Sequence, residues 1–200
     1  MALKVKRPRV GRDIRRQQVF DAAIGVFAEY GYEKASLDNV AKKLKVTKPA
    51  LYLYFKNKED LFLSTVFHRF DTTIHEVNEL QNSDLPGKQK LRIYIKGNIE
   101  FLFDNMDVFR LMQSPPRSLH KKLESGFKKK TALIYESVQK ILGQCRQEGL
   151  FTEDDIPFLM QCLLGLVHGS FGATLGLGKK PNVEKMTDRL MAFFIKGANS

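Results

Sequence analysis

Residues 37–54 read LDNVAKKLKVTKPALYLY, and the spacing of apolar side chains in that run decides the fold. Leu37, Val40, Ala41 and Leu44 fall at i, i+3, i+4 and i+7, one face of a short helix. Ser36 precedes it with a hydroxyl suited to accept from the free amides of the first turn. Thr47 offers the same cap to a second segment, which is predicted to run to about Tyr54. Pro49 lies in that segment's first turn, where a missing amide costs little. Two short helices joined by a tight turn need small or apolar residues where they touch. Ala41 is small at the expected crossing, Val46 is expected to plug the turn, and Leu51 to face back into the core. This is the pattern of a helix-turn-helix.

Working outward, Phe20, Ala23, Ile24, Phe27 and Tyr30 predict a helix over about 12–30, with Gly31 as its C-terminal stop. Asn57 and Asp60 make a box-like cap for a fourth helix, whose face is Phe62, Val66, Phe70, Ile74 and Val77. After a break at Ser83 to Gly87, helices are predicted near 88–104 and 106–113, the latter ended by Pro115 and Pro116. A long helix near 119–147 buries Ile134, Val138, Ile141, Leu142 and Cys145. Two more follow, near 154–176 and near 181–197, the last with Val183, Met186, Leu190 and Phe193 as its stripe. The expected fold is all-α, with about nine helices and no internal repeat. Its domains are a flexible basic arm over 1–11, a three-helix head over 12–58 and a larger helical body over 59–200 for effector binding and dimerisation.

Charge supports that division. The 200 residues carry a formal net charge of +11. Residues 1–58 hold 14 Lys/Arg against 5 Asp/Glu, whereas residues 59–200 hold 19 against 17. A basic head on a nearly neutral body points to a polyanion as the head's partner. Arg12, Arg15 and Arg16 form either a solvated basic face or an element that reaches along a nucleic acid.

Leu51 and Phe55 occupy the inward side of the third helix at i and i+4, which leaves Lys48, Ala50, Tyr52 and Tyr54 facing out. Lysine suits phosphate or guanine, tyrosine hydroxyls suit phosphate oxygens, and a small alanine admits a thymine methyl. The amides that open helices two and four, beside Ser36 and Lys58, suit backbone phosphates. Gly31-Tyr32, Ala35-Ser36, Val40-Ala41 and then VTKPALYLYFKNKEDLF over 46–62 resemble the N-terminal signature of the tetracycline-repressor (TetR) family, the likeness spanning residues 14–62. That resemblance implies a soluble homodimer of all-helical subunits whose last two helices form a four-helix interface. It also implies a ligand cavity in the body, and release from a palindromic double-stranded operator when a small molecule binds. By position it implies DNA contacts at Ser36, Lys48, Pro49, Ala50, Tyr52, Tyr54 and Lys58. Lys45 departs from the glycine common in that turn. A left-handed backbone there costs about 1 kcal/mol once a side chain is present, and its ammonium either reaches a phosphate or stays solvated.

In the body, Gly165, Gly169, Gly172 and Gly176 are spaced by four, three and four, a surface that permits close helix approach. With Leu163, Leu166, Val167, Met186, Leu190 and Phe193 they form either a dimer seam or a packing face within one subunit. Phe70, Tyr94, Asn98, Phe101, Met112, Gln113, Tyr135 and His168 are candidates to line a pocket for a partly apolar effector. For His168 the competing role is a hydrogen-bonded core histidine. Residues 156–178 contain no Asp, Glu, Lys or Arg. Gln161, His168, Ser170, Thr174 and five glycines in that stretch favour a buried helix of a soluble oligomer over a membrane span.

Cys145 and Cys162 are expected to be buried free thiols in a reducing cytoplasm. His68, His75, His120 and His168 make no zinc-type pair with an acidic partner, and no nucleophile and base converge, so neither metal, cofactor nor catalysis is expected. The competing reading is a nonspecific architectural DNA-binding protein, for which charge alone suffices. It leaves the large neutral body without a role.

Overall fold

The computed structural model describes residues 10–113, 115–176 and 181–199, and the side chains of these except at 10–15, 110, 113, 175 and 176. Most of the expected basic arm lies outside them. Every regular element among the described residues is helical. In chain order these are α1 (Val10–Lys34), α2 (Leu37–Leu44), α3 (Lys48–Tyr52), α4 (Lys58–Asn82), α5 (Gly87–Asp104), α6 (Met106–Gln113), α7 (His120–Gln147), α8 (Ile156–Gly176) and α9 (Val183–Gly197). A 3-10 turn, Arg117–Leu119, precedes α7. Gly31 interrupts α1 with φ 70° and ψ 165°, a conformation a side chain resists, so the predicted stop is present as a break before a final turn.

Two compact units form. The first comprises the residues up to Arg69 together with Asp107–Phe127, and the second Phe70–Met106 together with the residues from Lys128 on. The first unit thus takes in the start of α4, most of α6 and the start of α7, beyond the head expected to end at residue 58. Its core joins Phe20, Ala23 and Phe27 of α1, Val40 and Ala41 of α2, Leu51 of α3, and Phe62 and Val66 of α4 to Val108, Leu119 and Leu123. The rings meet edge to face, Phe27 on Phe62 at 4.9 Å and Phe20 on Phe55 at 5.8 Å between centroids. Tyr30, expected on the buried stripe of α1, is exposed, because the break at Gly31 ends the packed face one turn earlier.

In the second unit α5 packs on α8 and α9, burying Leu91, Tyr94, Ile95, Ile99 and Leu102. All five residues predicted for the inner face of α7 are buried. On α9 the stripe is turned by about one position from that expected. Thr187, Leu190, Met191 and Phe194 are buried, Met186 is half-buried, and Phe193 is 74% exposed. This helix carries two overlapping apolar faces, and packing on α5 and α8 selects one of them.

Lys90 is buried at 3% exposure, an arrangement no periodicity announces. Its ammonium donates to Gln81 O at 2.8 Å and to Gln144 Oε1 at 2.9 Å. The Gln144 amide donates to Glu148 Oε1 (2.6 Å) and Leu85 O (3.2 Å), and Glu148 Oε2 accepts from the Gly87 amide at 2.8 Å. The bend between α4 and α5 is thereby tied to α7, and the buried charge is tolerated because oxygens surround it. Burial, reinforced by the Glu148 carboxylate, pushes the Cys145 thiol up to about 12, so it stays a protonated core residue.

Gly87 lies in this knot without room for a side chain. A Cβ there would meet Cys145 N at 2.9 Å and Glu148 Oε2 at 3.0 Å, whereas one at Gly97 on the same helix meets nothing within 4 Å. Gly87→Ala is expected to destabilise by about 1–3 kcal/mol, read as a lower thermal midpoint. Gly97→Ala, which gains helix propensity at no steric cost, leaves the midpoint unchanged or raises it.

Candidate nucleic-acid interface

The α2-turn-α3 element is built from caps inward. Ser36 Oγ accepts from the Asn39 amide at 3.2 Å, and Asn39 Oδ1 accepts from the Ser36 amide at 3.0 Å. This closed box starts α2. Lys45 ends it at φ 55° and ψ 40°, the left-handed conformation anticipated for the usual glycine. The Lys45 and Val46 amides close on Lys42 O (3.1 Å) and Ala41 O (3.0 Å).

Two expectations fail here. Val46 does not plug the turn: it is 44% exposed, and half-buried Leu44 packs on the core instead. Thr47 has the extended backbone of a cap, but its side chain makes no capping bond. α3 also stops at Tyr52, two residues early, although the Tyr54 and Phe55 amides still bond to Leu51 O at 2.9 and 3.0 Å.

Leu51 and Phe55 point inward as predicted, both nearly inaccessible. Outward stand Lys45, Lys48 and Pro49, with Ala50 half-exposed and Tyr52 at 50%. Tyr54 is half-buried against the core, with its ring 6.5 Å from Phe55, so it is less available than its place in the sequence suggests. Sequence reasoning passed over Leu53. At 82% it is the most exposed large apolar residue named for this chain, detectable only as an unexplained leucine between two tyrosines.

The Lys48 ammonium pairs with Asp38 Oδ2 at 2.7 Å, which holds its pKa above the ordinary lysine value. Lys58 is engaged differently from the expected phosphate contact. Its ammonium donates to Tyr32 O (2.9 Å) and Glu33 O (3.1 Å) and stands 4.5 Å from the Tyr32 ring centroid. It therefore fastens the end of α1 to the start of α4. Carbonyls 26 and 25 residues distant leave no mark in a local pattern. Asn57 and Asp60 both serve the start of α4: Asn57 Oδ1 accepts from the Asp60 amide at 2.8 Å, and Asp60 Oδ2 from the Lys56 amide at 2.9 Å. Exposed Lys34, Lys42, Lys43 and Lys56 add to the positive surface of this unit. Arg16 is exposed above the Phe20 ring, and the side chains of Arg12 and Arg15 fall outside those described.

The residues proposed for an effector pocket separate. Phe70 and Phe101 meet edge to face at 5.3 Å, and the Asn98 amide donates to Tyr94 OH at 3.0 Å. Burial raises the Tyr94 phenol to about 12, and Tyr135, half-buried, belongs to the same unit. Met112 instead packs on the core of the first unit, and the Gln113 side chain lies outside those described. His168 is exposed on α8 rather than a core histidine, although partial desolvation lowers its pKa.

The residues proposed for a dimer seam separate too. Leu163, Val167 and Leu190 are buried within the chain itself and belong to the subunit core. Gly165, Gly169 and Gly172 are exposed, Leu166 is half-exposed, and Gly176 ends α8. With Phe158, Cys162 and Phe193, two of these line an apolar groove of about 470 Å³ between α8 and α9. The stretch Ile156–Thr174 has a mean hydropathy of 1.4, long and apolar enough to cross a membrane, yet only 28% of it is buried in the single chain. Among the described residues no three His, Cys, Asp or Glu side chains converge as a metal site.

Known proteins place these features together. Residues 19–65 match the model of bacterial regulatory proteins of the tetR family, and residues 84–171 match a tetracyclin repressor-like C-terminal domain. Over 199 residues the chain is 23% identical to the fatty acid metabolism regulator protein of Bacillus subtilis, covering 99% of this chain and 100% of that one. Over 104 residues it is 31% identical to the HTH-type transcriptional activator FasR of Mycolicibacterium smegmatis, covering 52% of this chain and 48% of that one, about half of that relative's length. The crystal structure of FadR from Bacillus subtilis in complex with stearoyl-CoA superposes with a TM-score of 0.70 at 23% identity, over 90% of this chain and 98% of that one. With a capped basic helix-turn-helix and a helical C-terminal region that each match a model of one family, the chain belongs to the TetR family of DNA-binding transcriptional regulators.

Proposed function

We propose that this protein is a homodimeric repressor that leaves a palindromic operator when a long-chain fatty acyl thioester of coenzyme A binds its body. The observation that carries the DNA-binding part is the outward face of α3, held rigid by the inward pair Leu51 and Phe55 and set among exposed lysines. Lys45, Lys48, Pro49, Ala50 and Tyr52 face the major groove, and Ser36, Tyr54 and Lys58 border the backbone. The organisation is a head for DNA and a body for effector and partner, in a cytoplasmic protein without enzymatic activity. Support for the effector class comes from the fatty acid metabolism regulator, similar along its whole length, and from the fold shared with FadR, whose structure contains stearoyl-CoA. The body's ring pairs, Phe70 with Phe101 and Phe103 with Phe171, are of the kind that desolvates an acyl chain.

Two copies pair through α8 and α9. The exposed glycines, Leu166 and Phe193 form the seam, while Leu163, Val167 and Leu190 support it from inside. Two-fold symmetry sets the recognition helices about 34–36 Å apart, in successive major grooves. Effector binding tilts α4 and changes that spacing, with a coupling of about 1–3 kcal/mol. FasR is named an activator, so the direction of control is read from transcription of a reporter behind the selected operator, which the bound protein should silence.

Phe193→Glu places a charge in the groove and is expected to give a folded monomer by light scattering that no longer protects a palindromic site. Lys48→Ala should weaken operator binding about tenfold or more with an unchanged thermal midpoint, whereas Lys58→Met should lower both, because its ammonium also holds α1. Stearoyl-CoA titrated against a labelled operator is expected to weaken binding roughly 5–150-fold, with coenzyme A alone inactive. Unchanged affinity at independently confirmed occupancy by the acyl thioester would falsify the effector assignment while leaving the DNA-binding role intact.

A further inference from the structure

The surface around α3 combines two properties that rarely meet. It carries exposed Lys42, Lys45, Lys48 and Lys56, yet also the exposed apolar side chains of Val46 and Leu53. Val46 in the turn before α3 and Leu53 just after its last residue are exposed, and Ala50 between them is half-exposed, whereas Leu51 and Phe55 point inward. Leu53 at 82% and Val46 at 44% exposure contribute nothing to the core. Residues 46–54, VTKPALYLY, contain no Arg, Asn, Gln, Asp or Glu, the side chains that read base edges by paired hydrogen bonds. Lys48, the one side chain there suited to guanine, is paired with Asp38.

On the edges of base pairs in duplex DNA's major groove, the apolar group is the 5-methyl of thymine, and the exposed lysines of the same element complement the flanking phosphates. Resting on the DNA-binding role above, we propose that this chain reads its operator chiefly through pyrimidine 5-methyl groups, with Leu53 and Val46 as specificity-determining residues beside Ala50. Leu53 reaches the methyl nearest the C-terminal end of α3, and Val46 one nearer the turn. The operator half-site accordingly carries thymines at those positions, and loss of a methyl weakens binding even where base pairing is intact.

The test uses the full-length protein and an operator selected from random duplexes. Each thymine is replaced in turn by deoxyuridine, which removes only the methyl. Wild-type affinity is expected to fall about fourfold at one or more positions per half-site, the factor that corresponds to one buried methyl-sized group. Leu53→Ala, truncating a side chain that packs on nothing in the core, keeps its circular dichroism spectrum and thermal midpoint. It binds thymine and deoxyuridine operators equally at one such position, whereas Val46→Ala loses discrimination at another. Replacing that thymine by cytosine weakens wild-type binding, and 5-methylcytosine restores part of it. The inference is overturned if no deoxyuridine substitution changes wild-type binding, or if Leu53→Ala retains full discrimination. Failure to select any site at all would instead sink the regulator reading itself.

Discussion

The inward packing of Leu51 and Phe55 is the constraint on which the head depends. A five-residue helix has almost no intrinsic stability, so α3 exists only because Leu51 is clamped in a core of Phe20, Phe27, Val40, Ala41 and Phe62. The same anchoring dictates orientation. With one face of so short a helix buried, the other has no choice but to face solvent. The left-handed Lys45 and the Ser36 to Asn39 box serve that anchoring by setting where α2 stops and where α3 begins.

The first unit is larger than a trihelical head. Val108, Leu119 and Leu123 complete its core, and Leu111, Met112 and Phe127 pack against it. Segments of α4, α6 and α7 that a reading by domains assigns to the body are therefore part of the structure that supports α3. α4 and α7 contribute residues to both compact units. Lys58 adds a joint at the start of α4, where one ammonium holds two carbonyls at the end of α1.

In the second unit the distribution of apolar surface divides stability from assembly. Leu163, Val167 and Leu190 are satisfied within one chain, while Phe158, Gly165, Leu166 and Phe193 line a groove between α8 and α9. A soluble monomer seldom leaves such a surface bare. The hydropathy that makes α8 resemble a membrane span is shared between a face packed within the subunit and a face left exposed.

Much was legible in the chain alone. Apolar spacing specified the nine helices of the described residues to within a few positions, the caps at Ser36 and Asn57 located two helix starts, and the charge imbalance with the signature over 46–62 pointed to the head's partner and family. These are local properties, carried by neighbours three or four residues apart and by backbone conformations that individual residue types favour. What tertiary structure decided was which of two competing faces is buried, and which distant groups meet. It turned the buried stripe of α9 away from Phe193, left Val46 and Leu53 in solvent, moved Met112 to the other unit, and brought Lys90 to Gln144 and Lys58 to Tyr32. Periodicity cannot choose between two overlapping apolar stripes, nor find a lysine's oxygen partner tens of residues away, because both outcomes are set by packing between elements rather than by the order of residues within one.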